Sequence, residues 1–280
     1  MLFETVIIAT DFSPGAEKIF ACLKELQEVG TKKIILVWVV ESKDKRPDTL
    51  LKKIQLTKLH LEKAELETRG FQVEVEAPIG IAYQEIHRAA HDHKADLIVI
   101  TSRGKNLVRD FFIGSTVSKV IRSSSLPVLV ERVGLALREG QNVCEVMPKR
   151  FDRILLATDF STQACNAEKI AMELSCLSEK TAIISVIDEG VTPAEIKEKK
   201  EEAQAYLENL RKDCLENCPE LHILLEVGIA SKKILQWAQE FAATLIIMGT
   251  KGKSNMPNIL LGSTAENVAR QANCSVLLIP

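Results

Sequence analysis

The chain repeats itself at long range. Ala9-Thr10-Asp11-Phe12-Ser13 returns 148 residues later as Ala157-Thr158-Asp159-Phe160-Ser161, and Gly80 returns at the same offset as Gly228. Leu245-Ile246-Ile247-Met248 leads into Gly249, Gly252, Gly262 and Ser263. The earlier copy runs from Leu97 through Thr101 and Gly104 to Gly114 and Ser115, so Thr101 stands where the later copy has Gly249. Between these anchors the register slips, as Ala-Glu-Lys-Ile at 16–19 and at 167–170 demonstrates. A period this long marks a duplicated domain rather than a solenoid unit. Whatever one half folds into, the other must fold into as well, and 280 residues hold two domains of roughly 140.

Each half alternates apolar, β-branched runs with amphipathic segments. In the first, Thr5–Thr10, Lys33–Val40, Phe71–Ala77, Asp96–Ile100 and Leu126–Val130 read as strands. Helical periodicity holds up to about Val29 and over Asp48–Arg69, Ile81–Lys94 and Gly114–Ser124. The second half repeats the order. Its strands are Arg153–Ala157, Thr181–Ile187, Leu221–Val227, Thr244–Met248 and Ser275–Ile279, with helices over Pro193–Asn217, Ser231–Phe241 and Ser263–Gln271. Continuous apolar strands alternating with helices predict an α/β fold, with two tandem open parallel five-stranded sheets flanked by helices. The expected domains are 1–132 and 150–280. Residues 133–149, with two glycines, several charges and Pro148, read as a linker carrying at most one helical turn.

A strand that runs into glycines and then a helix start is how α/β folds build an anion site. Small residues let the backbone approach a phosphate, and amides at the helix N-terminus point at it. Ligands of parallel sheets sit beyond the carboxyl ends of the strands, where strand order reverses. Asp11 and Asp159 close the first strands and the glycine segments follow the fourth, so each pair falls in one crevice. The alternative for the aspartates and for Ser13 and Ser161 is helix capping; for the glycines it is turn chemistry.

With strand-Asp-Phe-Ser at the front and Gly-x-x-Gly-x9-Gly-Ser near the end, each half resembles the universal stress protein family. The likeness spans the chain apart from the linker, as in tandem members of that family. It implies a Rossmann-like, adenine-nucleotide alpha-hydrolase-like fold that binds ATP, ADP or AMP, with Mg²⁺ arriving through the phosphates. By the same resemblance the aspartate holds ribose, backbone at the end of the second strand meets adenine, and the glycine loop holds phosphate. Those positions are Asp159, Val186, Gly249, Gly252, Gly262 and Ser263 in the second half, and Asp11, Val39, Gly104, Gly114 and Ser115 in the first. Thr101 departs from the pattern: a Cβ there would narrow the pocket, or forbid a positive φ if the loop needs one.

The implied role is a nucleotide-operated regulatory switch. Its rivals are an interaction scaffold with a vestigial pocket and a slow ATP hydrolase; no Ser-His-Asp set, carboxylate pair or metal triad accompanies the loops. Adenylating relatives of the wider superfold have a Ser/Gly-rich loop after the first strand, where this chain has Asp-Phe-Ser. Gly252-Lys253-Ser254 imitates the tail of a Walker loop, but that motif needs glycine at position 247, which is Ile. Lys251, Lys253, Arg103 and Lys105 are read as solvated loop charges that could also screen phosphate. His87, His91 and His93, and the pair Cys214 and Cys218, read as helix-surface residues rather than metal ligands. Trp38 reads as core, with base stacking as its alternative.

A net charge of −2 gives no reason to expect nucleic acid or a membrane as partner. Seven irregularly spaced cysteines suit free thiols in a reducing compartment. The N-terminus enters a strand at once, without room for a signal peptide, so a cytoplasmic protein is expected. The closing strands Leu126–Val130 and Ser275–Ile279 are apolar and would leave unpaired edges in isolated domains. They are expected to join the halves into an intramolecular pseudo-dimer, with a homodimer of chains left open. Lysine at Val128 or Leu277 tests this.

Overall fold

The apolar runs at Thr5–Ala9, Lys33–Val37, Leu97–Thr101, Arg153–Ala157, Leu245–Gly249 and Ser275–Ile279 become strands whose side chains are largely excluded from water, whereas Gln72–Glu76 and Leu221–Val227 stay mostly half-exposed. The computed structural model describes residues 2–13, 23–40, 49–102, 113–132, 134–138, 141–145, 149–187, 192–214, 220–253 and 261–280. The chain divides into two units, Met1–Pro148 and Lys149–Pro280.

In the N-terminal unit the order is β1 (Thr5–Ala9), α1 (Lys24–Glu28), β2 (Lys33–Val37), α2 (Thr49–Thr68), β3 (Gln72–Glu76), α3 (Ala82–Asp92), β4 (Leu97–Thr101), α4 (Ser115–Ser123) and β5 (Val128–Glu131). The C-terminal unit repeats it: β8 (Arg153–Ala157), α5 (Cys165–Ser175), β9 (Lys180–Ile187), α6 (Pro193–Cys214), β10 (Leu221–Val227), α7 (Ala230–Glu240), β11 (Leu245–Gly249), α8 (Ser263–Gln271) and β12 (Ser275–Ile279). Among the described residues of 133–149 lies a difference from expectation. Gly134–Arg138 (β6) and Gln141–Glu145 (β7) form an antiparallel ribbon, and no helical turn is among them.

Apart from the β6–β7 ribbon, the strand pairs described within each unit are parallel. The N-terminal order is β3-β2-β1-β4-β5, with Ile7 opposite both Ile35 and Ile98. The C-terminal order is β10-β9-β8-β11-β12, with Leu155 opposite Ala182 and Ile246. The chain leaves the central strands β1 and β8 to one side and returns beside them as β4 and β11. The crevice therefore opens at the carboxyl ends of these pairs.

The helices repeat their packing as closely as the strands. α3 buries Ile86 and Ala90, and α7 buries Ile234 and Ala238, 148 residues on. α4 buries Val117, Val120 and Ile121, and α8 buries Ala265, Val268 and Ala269 at matching positions. Each such Val or Ile withdrawn from water is worth about 1.5–3 kcal/mol, so the apolar stripe sets the face each helix turns to its sheet. Register at the amino ends is tied by side chains. Asp96 Oδ2 accepts the Glu4 and Thr5 amides, both at 2.9 Å. Its counterpart Thr244 Oγ1 accepts the Arg153 amide at 2.9 Å. Among the described residues no helix is long and apolar enough to cross a membrane, and Cys165, Cys176 and Cys274 carry free thiols.

Candidate functional site

The turn after the first strand is built by its own side chains. Thr158 Oγ1 accepts the Phe160 amide at 3.0 Å, and Asp159 Oδ1 accepts the Ser161 amide at 3.1 Å. These two bonds hold Phe160 at φ 59, a left-handed conformation that bulky residues avoid. Ser161 Oγ then accepts the Ala164 amide at 3.2 Å, ahead of α5. The N-terminal unit makes the same turn: Thr10 Oγ1 and Asp11 Oδ1 accept the Phe12 and Ser13 amides, and Phe12 has φ 56. Serine at 161 thus takes a capping role, whereas each aspartate spends one oxygen on its own turn and keeps the other.

At Asp159 that second oxygen reaches the glycine loop. Oδ2 accepts the Lys253 amide at 2.7 Å, and a Cβ on Gly252 would run into the same oxygen. A Cβ on Gly249 would lie 3.0 Å from the Lys251 carbonyl, and one on Gly262 would lie 3.3 Å from the Thr250 carbonyl. None of these three glycines has a positive φ. Their smallness serves close approach, so the notion that Thr101 is barred by backbone conformation does not hold. Thr101 sits buried in β4, opposite Glu131.

A second difference concerns the amides. The Gly262 N–H donates to the Thr250 carbonyl at 2.7 Å, and the Gly114 N–H donates to the Ser102 carbonyl at 3.2 Å. Neither is available to a ligand. The groups left without an intrahelical acceptor are the first amides of α8, at Ser263, Thr264 and Ala265, since helical bonding begins with Glu266 N–H to the Gly262 carbonyl. Gly262 has no side chain with which to cap them. Three convergent amides and the positive end of the helix dipole make an anion-binding terminus.

Asp159, Val186, Gly249, Gly252, Gly262 and Ser263 all line one cleft of about 720 Å³ in the C-terminal unit. That volume falls within the range of small-molecule sites. One wall is the α6 face carrying Lys199, Ala203 and Tyr206, one helical turn apart. The Tyr206 ring lies 4.6 Å from that of Phe160, centroid to centroid. Its hydroxyl donates to Glu168 Oε2 at 3.1 Å, and Thr158 Oγ1 donates to Glu168 Oε1. Glu168 is only 4% exposed, so a buried carboxylate on α5 pins two cleft-lining side chains. Burial, together with that carboxylate, pushes the Tyr206 phenol up to about 12. The sequence signal for this cluster was weak. Glu168 lies inside the repeated Ala-Glu-Lys-Ile, but nothing local links it to a tyrosine 38 residues away.

In the N-terminal unit Asp11 closes β1, Val39 is half-buried just past β2, and Gly114 and Ser115 open α4. Gly114 and Gly262 share one conformation, φ −61 and ψ 150 against φ −68 and ψ 147. Gly104, Arg103, Lys105 and Cys218 lie outside the described residues. Lys251 and Lys253 are exposed at the cleft. His93 is held by Glu76 at 2.6 Å and His87 by Ser123 at 2.9 Å. Among the described residues no group of three His, Cys, Asp or Glu side chains could hold a metal ion.

The family model of universal stress proteins matches residues 2–132 and again residues 150–280. The chain belongs to the universal stress protein family. Two universal stress proteins of Methanocaldococcus jannaschii are similar to it. One is 32% identical over 153 residues, covering 51% of this chain and 86% of its own length. The other is 31% identical over 157 residues, covering 48% and 97%. A solved universal stress protein from Archaeoglobus fulgidus shares 26% identity at a TM-score of 0.70, covering 98% of this chain and 95% of that one. The two universal stress protein matches coincide with the two sets of five parallel strands, and each contains one Asp-Phe-Ser turn and one glycine-led helix.

Proposed function

We propose that the C-terminal unit binds an adenine nucleotide in this cleft and that occupancy acts as a regulatory signal. The phosphates lie against the first amides of α8, the ribose at Asp159, and the base toward the end of β9 at Val186. The observation that supports this most is the set of amides at Ser263, Thr264 and Ala265 opening into the same cleft as the Asp159 carboxylate. An anion site and a hydroxyl acceptor then flank a single cavity. The choice of ATP, ADP or AMP follows from the likeness of the Asp-Phe-Ser and Gly-x-x-Gly-x9-Gly-Ser segments to nucleotide-binding members of the family. Lys251 and Lys253 screen the phosphate charge.

Magnesium fits only as a passenger. With no metal-holding cluster among the described residues, Mg²⁺ would be carried by the phosphates. We assign the site binding rather than turnover: each Asp159 oxygen accepts one backbone amide and keeps a lone pair for a ribose hydroxyl, and no metal-holding cluster accompanies it among the described residues. With nucleotide as its ligand, the protein acts in the cytoplasm.

Isothermal titration and thermal melts with ATP, ADP and AMP test the reading. A ligand at a hundred times its Kd stabilises by about 2.7 kcal/mol, a readily visible rise in Tm. An unmoved Tm at saturating concentrations of all three nucleotides would refute it.

A further inference from the structure

The two units differ at the place where the base would lie. β2 pairs with β3 through Val37 and Glu76, and β9 pairs with β10 through Ile184 and Leu224. One residue further, the Trp38 amide donates to the Glu76 carbonyl at 3.0 Å, continuing the ladder, while Ser185 stands opposite Leu225. Trp38 and Ser185 therefore hold the same ladder position, and strand alternation turns their side chains to the same face. Ser185 is 4% exposed and borders the cleft. The N-terminal unit has an indole there.

That indole meets the phenylalanine of the Asp-Phe-Ser turn. Phe12 and Phe160 occupy the same left-handed turn position in the two copies. In the C-terminal unit Phe160 is half-buried, lines the cleft and faces Tyr206. In the N-terminal unit Phe12 is 8% exposed and takes the Trp38 ring edge-on, centroids 5.6 Å apart. The tryptophan covers the very ring that borders open space in the other copy. Thr101, buried at the end of β4, stands where the other copy has Gly249. For a purine to enter, the indole must leave Phe12 and both rings must be wetted.

We infer that the chain takes one adenine nucleotide, in the C-terminal unit alone, because Trp38 fills the base end of the N-terminal crevice with the protein's own side chain. The inference rests on the nucleotide-binding reading above. It makes the duplicated halves unequal: one responds to ligand, and the other is held permanently in a filled state.

The test is stoichiometry together with Trp38 emission, measured on the full chain. Trp237→Phe leaves Trp38 as the single tryptophan. With ATP as probe, titration should give one nucleotide per chain, and Trp38 emission should stay constant through saturation. Ser185→Trp, which writes the indole into the other unit, should lose binding, and Trp38→Ser should add a second site. Two nucleotides per wild-type chain with quenched Trp38 emission would overturn the inference while leaving nucleotide binding intact, since the indole would then be a stacking platform. Wild-type affinity in a folded Ser185→Trp variant would overturn it equally. Should Ser185→Trp fail to fold, wild-type stoichiometry and Trp38 emission still decide. No binding to the wild-type chain would sink the underlying reading as well.

Discussion

Gly252→Ala is the substitution whose consequence is most directly computed from the contacts. An added Cβ meets Asp159 Oδ2, so the carboxylate must swing away. Swinging forfeits the Lys253 amide at 2.7 Å and, because the oxygens move together, the Ser161 amide at 3.1 Å. At a half-exposed position each bond is worth about 1 kcal/mol net, or about 2 kcal/mol for the two. Position 252 has no positive φ, so its backbone conformation is open to alanine, which restricts the unfolded chain and returns about 0.5 kcal/mol. The net loss is about 1.5 kcal/mol, which lowers the Tm of a unit this size by about 5 °C. In an Asp159→Ala background both bonds are already gone, so the second substitution should be neutral or slightly stabilising. Urea and thermal melts by circular dichroism on the four proteins of this cycle should show a coupling of about 2 kcal/mol. Costs that add within about 0.5 kcal/mol would refute the idea that Asp159 fastens the glycine loop to the first strand.

The other expectations concern the phosphate end, alkaline stability and acid stability. Gly262→Val adds a branched side chain at the α8 N-cap, with its Cβ only 3.3 Å from the Thr250 carbonyl. It should abolish the ATP-induced rise in Tm while costing the apo fold about 1 kcal/mol; an undiminished rise would count against phosphate at that helix end. Tyr206 carries a phenol pushed up to about 12 from its usual 10, by burial first and then by Glu168. Its neutral form supports the fold below pH 10 and that support is lost as pH rises through about 12. Tyr206→Phe should therefore flatten the alkaline fall in Tm, and an identical pH profile would contradict the assignment. Burial pushes Glu76 up, but hydrogen bonds from His93 and Arg88 outweigh it and hold the carboxyl below its ordinary 4.5. That stabilisation is present above 4.5 and fades as pH falls through the lowered value. The Tm gap between wild type and Arg88→Gln should accordingly shrink with acidification, and a gap constant with pH would show that the ion pair contributes nothing.

Much of the architecture was readable because its causes are local. Lys33–Val37 and Leu245–Met248 are strands for the same reason they look like strands, being apolar, β-branched and bounded by turn residues. The ribbon at Gly134–Arg138 and Gln141–Glu145 is not legible in the sequence because glycines at 134 and 140 and scattered charges imitate a linker. At the cleft, the positions of Asp159 and the glycines stood out through repetition, but the use of each amide did not. Gly262 looks like a phosphate donor in the sequence, yet its N–H is taken by Thr250. Glu168 and Tyr206 stayed invisible because they meet across two helices whose register slips between the copies.

Taken alone, the sequence determines that there are two copies of one α/β unit, and that each carries an Asp-Phe-Ser turn and a glycine-led helix. Hydrophobic periodicity, turn chemistry and helix caps act over a few residues, and the repeat doubles the signal. Tertiary structure alone decides which amides remain unpaired, and that Trp38 meets Phe12 while Ser185 borders a cleft. Those outcomes depend on which side chains from distant strands and helices arrive in the same space. Volume and hydrogen-bond competition there are properties of the packed interior, and no short stretch of the chain encodes them.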